Sequence, residues 1–175
     1  MTWCAPIVCG GMSGPVVITY LELPAGAPLL APARPAPDGF ATRQVRDPAV
    51  NRDMYRRVGA DYQWVDRLTW GDERWAEYAA RVETHLVEVD GQPAGYYEIE
   101  LDAADSAKIA LFGLLEEFQG IGLGGHALTA ALARARELRP RVWLTTCTLD
   151  GPHALPNYRA RGMRPFRTAT VPAPA

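Results

Sequence analysis

The sequence predicts a single α/β domain, a mixed and largely antiparallel β-sheet flanked by helices, and three observations carry that prediction. With 175 residues, 48% of them hydrophobic and 22% charged, the chain can bury one sizeable core but not comfortably two. Strand-like segments dominate from Thr84 onward, and two of them, Thr84 to Val89 and Pro93 to Leu101, flank the hairpin pair Asp90-Gly91. A further strand, Ser106 to Leu114, runs into a turn with four glycines in six residues, Gly120, Gly122, Gly124 and Gly125, and then into a long helix.

Taken in order, VVITYLEL at Val16 to Leu23 is rich in β-branched and aromatic residues and reads as a strand. The proline- and alanine-rich Pro24 to Pro37 sustains neither helix nor ladder and reads as an extended connector. A short strand, Phe40 to Val45, follows. Asp47-Pro48 supplies an N-cap and a first-turn proline for a helix through about Val58. The stretch Tyr55 to Trp75 is the most aromatic of the chain, holding Tyr55, Tyr62, Trp64, Trp70 and Trp75, which either plug a core between helices or wall a pocket. A second helix is expected from Asp72 to Val82, apolar at Trp75, Tyr78, Ala79 and Val82. After the glycine turn, Leu123 to Leu138 keeps Leu128, Ala131, Leu132, Ala135 and Leu138 on one face. A strand from Arg141 to Thr148, a short helix from His153 to Arg161 and a last strand from Met163 to Val171 complete the chain. The division this implies is a tail with an extra strand and connector over 1–38, a main domain over 39–171 and a tail over 172–175.

A net charge of −2 without a basic run speaks against nucleic acid or an anionic membrane as partner. Cys4, Cys9 and Cys147 are an odd set without metal-ligand spacing, so no disulfide framework, zinc site or other metal is expected, and a reducing cytoplasm fits. No stretch approaches the roughly 18 apolar residues of a membrane span.

The glycine turn strips side chains from a backbone that opens a helix, so its N–H groups can converge on a phosphate. Gly120, Gly122 and Gly125 satisfy G-x-G-x-x-G, the dinucleotide fingerprint, and Asp150 stands near the end of the next strand where a ribose-binding acid would sit. Against an NAD(P)-linked oxidoreductase, the glycines come some four residues past the strand, and too little chain follows for a doubly wound sheet. No G-K-[ST] is present to make a nucleotide P-loop.

Gln119-Gly120-Ile121-Gly122-Leu123-Gly124 fits Q/R-x-x-G-x-G/A, and the chain here resembles the acyl-CoA pyrophosphate loop of the GNAT N-acetyltransferase superfamily. Downstream, TCTLDGPHALPNYRARGM from Thr146 to Met163 is similar to that family's strand and short helix carrying Asn and Tyr. The order of elements also agrees over about residues 40–170, with VVITYLEL as a subfamily addition.

The resemblance implies a splayed sheet and acetyl-CoA as co-substrate, with Leu114, Gln119, Gly120, Ile121, Gly122, Leu123, Gly124, Gly125, Asn157, Tyr158 and Arg161 at the cofactor. It implies that pantetheine lies along Phe112 to Leu115, that a main-chain N–H near Leu114 faces the thioester oxygen, and that the Tyr158 phenol points at the sulfur as acid. In several relatives a glutamate on the strand before the loop is the base; here Lys108 takes that position, and a lysine at neutral pH is a poor base. Glu98, on the neighbouring strand with Glu100, is the catalytic base preferred instead. The acceptor, a small-molecule or peptide amine, would be walled by Tyr55, Trp64 and Trp70. A non-catalytic acyl-CoA sensor is the rival reading, and the VVITYLEL strand, if exposed, suggests a homodimer.

Overall fold

The computed structural model describes residues 14–60, 62, 64–102 and 105–172; Cys4 and Cys9 lie outside them. In chain order the elements are β1 (Val16–Leu23), β2 (Phe40–Val45), α1 (Pro48–Gly59), α2 (Asp72–Ala79), β3 (Val82–Val89), β4 (Gln92–Leu101), β5 (Ser106–Leu114), a 3₁₀ turn Glu116–Phe118, α3 (Leu123–Leu138), β6 (Arg141–Cys147), α4 (Ala154–Ala160) and β7 (Arg164–Val171). The Asp47 carboxylate accepts the Ala49 N–H at 2.9 Å to start α1, with Pro48 where no N–H is needed. Helix α2 stops earlier than its apolar spacing suggests. The N–H groups of Ala80 and Arg81 close on Ala76 and Tyr78, and Val82 goes to the sheet, paired with Glu100.

The strands form one sheet in the order β2-β3-β4-β5-β6-β1-β7, antiparallel except for β5 against β6. The expectation of an exposed VVITYLEL strand is corrected here. β1 pairs with β6 along one side, Tyr20 opposite Thr145, and with β7 along the other, Thr19 opposite Thr168. Both its edges are used, so it offers none for dimerisation. Its Leu21 and Leu23 are fully buried in the core under α3, because alternation turns them to the face that helix covers.

Two cores lie on the two faces. One packs Tyr97, Ile99 and Ile109 against Leu128, Leu132 and Ala135 of α3; the other packs Tyr96 and Leu111 against Met54, Tyr55, Trp75 and Tyr78 of α1 and α2. The parallel pair β5–β6 is short, running only from Ser106 opposite Arg141 to Lys108 opposite Trp143. Beyond that point the two strands part, which is the splay expected from the sequence, and the gap is where a site can form.

Candidate active site

The gap opens into a cavity of about 570 Å³. One side is β5, where the register slips between Glu98 and Ile99 so that Glu98 faces Leu111 and Ile99 faces Ile109. Ala110 is the extra residue of this bulge, and Ile109, Ala110, Leu111 and Phe112 all reach the cavity. The other side carries Leu144, Thr145, Thr146 and Cys147 of β6, and Tyr20 of β1 extends the wall.

At one end stands the glycine turn. Gly120 and Gly122 have φ of +77° and +87°, the left-handed region, with open space where a side chain would go. Gly122 is the N-cap of the 16-residue α3 and offers no side chain to its first-turn N–H groups. A Cβ on Gly125 would fall 2.7 Å from Arg161 Nη1, so the guanidinium lies against the turn. Arg161 Nε is buried without a hydrogen-bond partner, and burial lowers the side chain's pKa. A cation against the turn that opens α3 is suited to an anion bound at those first-turn N–H groups. Asn157 Nδ2 donates to Gly124 O at 3.0 Å, tying α4 to the turn. Gln119 Nε2 donates to Leu114 O at 3.2 Å and its Oε1 accepts the Tyr62 hydroxyl at 3.2 Å, so a side chain occupies the main-chain acceptor at the end of β5.

In the middle, Tyr158 of α4 packs edge-on against Phe112, the ring centres 6.4 Å apart, and borders the cavity. Burial, and then the Asp150 carboxylate, push its phenol well above the usual tyrosine range, so it holds its proton through neutral pH. Asp150 Oδ2 accepts from Thr146 Oγ1 at 2.5 Å and from Cys147 N at 3.1 Å. The Cys147 thiol is pushed up to about 11 by burial and by Asp150, which leaves it a protonated, unreactive side chain.

The cavity also has an aromatic wall. Tyr55, Tyr62 and Trp64 form it together with Asp66 and Arg67. The Tyr55 hydroxyl donates to Asp66 Oδ1 at 2.5 Å and accepts from Arg67 N at 3.4 Å. The Arg67 guanidinium lies 4.2 Å from the Tyr78 ring centre and 5.1 Å from that of Trp70, a stacked cation. Beneath it is Glu98, fully buried, accepting Asn51 Nδ2 at 2.7 Å and the Tyr78 hydroxyl, with Arg67 Nη1 at 3.9 Å.

Burial raises the Glu98 pKa above 4.5, against the pull of Tyr78 and Arg67. A raised native pKa favours the protonated carboxyl in the fold. The stability it contributes is therefore complete below the unfolded value near 4.5 and is lost as pH rises through the higher native value. Glu98→Gln carries no such loss, so in urea titrations the variant should gain on the wild type as pH climbs from 4 toward neutrality. Parallel pH profiles would show that the fold leaves the Glu98 pKa unshifted.

The residues singled out in the sequence divide as follows. Leu114, Gln119, Gly120, Gly122, Gly124, Asn157 and Tyr158 border one cavity, as do Gly125, Tyr55 and Trp64. Arg161 stands behind Gly125. Ile121 is exposed, and Leu123 is buried under α3 as an anchor of the helix start. Trp70 is off the wall, packed on Trp75 and Tyr78 between two arginines. Glu98 is off the wall as well, behind Arg67. Lys108 is buried one step below the splay with Nζ 5.2 Å from the Trp143 ring centre, and it does not border the cavity either. Asp66 and Arg67 went unremarked in the sequence; their one signal was a charged pair inside the aromatic stretch.

A model of the acetyltransferase (GNAT) family matches residues 51–163. Similar solved structures include a GCN5-related N-acetyltransferase from Kribbella flavida, with a TM-score of 0.65 and 23% identity over 91% of this chain and 58% of that one. One from Sphaerobacter thermophilus gives 0.64 and 17% over 89% and 50%. A Bacillus subtilis acetyltransferase in complex with CoA gives 0.56 and 18% over 70% and 75%. The chain thus spans 58% or less of the length of the first two. No curated protein matches. At these identities the structures show a shared fold; the family match, which covers more than half of the chain and includes both the glycine turn and Tyr158, places this protein in the GNAT acetyltransferase family.

Proposed function

We propose that the protein transfers an acetyl group from acetyl-CoA to an amine by direct attack in a ternary complex. The observation that carries the reading is that the glycine turn, the free end of β5 and the Tyr158 ring border a single cavity, which also takes in an aromatic chamber at Tyr55, Tyr62 and Trp64. The N–H groups of the turn and of the first turn of α3 would hold the pyrophosphate, with Arg161 beside them. The pantetheine arm would run along Phe112 to Leu114, its amide taking the Leu114 carbonyl from Gln119 and so releasing Tyr62. The thioester then lies between Tyr158 and the aromatic chamber. As the amine adds to the carbonyl, a main-chain N–H near Leu114 would meet the developing oxyanion, and Tyr158 would give its proton to the departing thiolate. Direct proton uptake by Glu98, the base preferred from the sequence, requires passage past Arg67; its place in this geometry is to hold Arg67 and Tyr78.

Thermal melting against a cofactor panel tests the reading. Acetyl-CoA and CoA at 100 times their dissociation constant should stabilise by about 2.7 kcal/mol, and NAD(H) should not. Stabilisation by NAD(H) alone would sink it, and binding of acetyl-CoA without transfer to any amine would favour the sensor module. Arg161→Ala should raise the Kd for CoA by roughly 10- to 100-fold, the scale of one or two hydrogen bonds to a charged group, with the difference narrowing at high salt. An unchanged Kd would remove Arg161 from the phosphate site.

A further inference from the structure

We infer that the acceptor is an amine carrying a second positive charge and no carboxylate, its reacting nitrogen held at Asp150 and its second cation at Asp66. The inference rests on the acetyl-CoA reading above and adds the acceptor's chemical class.

Among the described residues, two carboxylates and one guanidinium are the acidic and basic groups of the cavity wall, His153 apart. The guanidinium is already engaged. Arg67 lies 3.7 Å from Asp66 and 3.9 Å from Glu98, stacks on Tyr78, and its Nη1, although without a hydrogen bond, is sealed from solvent. It does not stand free to receive an acceptor's carboxylate. Asp66 keeps 23% of its side chain exposed at the cavity and is held in place by the Tyr55 hydroxyl. Asp150 is fixed through Oδ2 by Thr146 and Cys147, while its Oδ1 has only the Cys147 thiol at 3.7 Å, a weak donor. It is the carboxylate beside Tyr158, where the thioester must be.

Between the two aspartates the wall is aromatic. Tyr62 packs over Gly151, next to Asp150, where an added Cβ would meet its ring at 3.2 Å, and Trp64 packs at a tilt on Tyr55, ring centres 5.5 Å apart, next to Asp66. Carboxylate, rings, carboxylate is the complement of a cation, a hydrocarbon spacer and a second cation. In the reaction the ammonium at Asp150 passes one proton to that carboxylate, and its lone pair forms the N–C bond. The C–S bond breaks as Tyr158 protonates the sulfur, the remaining excess proton on nitrogen is lost to water, and the proton on Asp150 returns to the Tyr158 phenolate, which resets both residues. Asp66 takes no part in the bond changes and sets the preference for the second charge.

The test is the ratio of kcat/KM, with acetyl-CoA saturating, across α,ω-diamines of three to six carbons, the matching monoamines and the matching ω-amino acids. Diamines should exceed monoamines by at least about tenfold, and the amino acids should be slowest. In Asp66→Asn, which keeps an oxygen for the Tyr55 hydroxyl and removes the charge, the diamine-to-monoamine ratio should collapse toward one. Melting with acetyl-CoA confirms that the variant is folded and loaded. Equal rates for diamines and monoamines, faster amino acids, or a ratio that survives Asp66→Asn would overturn the inference. So would failure to acetylate any probe while acetyl-CoA still raises the melting temperature, an outcome that leaves the cofactor reading standing; loss of acetyl-CoA binding in the wild type would fail both.

Discussion

Tyr158→Phe should lower kcat by roughly 10²- to 10⁴-fold while changing the KM for acetyl-CoA little, because it deletes the one atom that the proposed step uses and keeps the ring that packs on Phe112. A phenol held above its usual pKa by burial and by Asp150 keeps its proton throughout the neutral range and is placed to hand it to the sulfur as the C–S bond breaks. The sign matters for the pH profile. A raised pKa moves loss of the acid to higher pH, so wild-type kcat should show no alkaline decline from Tyr158 until well beyond the ordinary tyrosine value near 10. Full turnover by the Phe variant would show that thiolate leaves unassisted or takes its proton from water, and that Tyr158 serves the pantetheine arm only by packing.

How much of this was visible in the chain depends on which force set each feature. The glycine turn was legible because Gly120 and Gly122 adopt positive φ, a backbone demand that leaves a mark in residue type. Strand and helix positions were legible for a similar reason, since β-branched runs and the Asp47-Pro48 start act locally. The place of β1 was not, because a half-buried strand shows the same alternation in the middle of a sheet as at its edge. Nor could the sequence separate Trp64, which walls the cavity, from Trp70, which fills the core beside it; both rings are apolar, and only the path of the loop between α1 and α2 decides. Glu98 shows the same limit for charge. Its place on the Pro93 to Leu101 strand was legible, but burial beneath Arg67 depends on Asn51 and Tyr78 arriving from two helices.

The position of β1 carries the largest expected effect on stability. A chain lacking residues 1–23 should fail to give a cooperative thermal transition. The deletion takes away the strand that joins β6 to β7, and with it every ladder bond of β7 among the described residues, where its one partner is β1. It also empties the places of Leu21 and Leu23, both fully buried under α3. Truncating a single buried leucine costs about 2–5 kcal/mol, and a domain of this size is stable by only about 5–15 kcal/mol, so losing two such side chains together with two ladders exceeds what the rest can hold. Leu21→Ala gives the graded version. At about 2–4 °C per kcal/mol it should lower the melting temperature by roughly 4–20 °C without changing the Kd for CoA in the protein that remains folded, since Leu21 faces the helix-covered core and not the cavity. A truncated chain that melts like the full one would mean that β6 and β7 can close on each other, and that β1 is an addition to a sheet already complete without it.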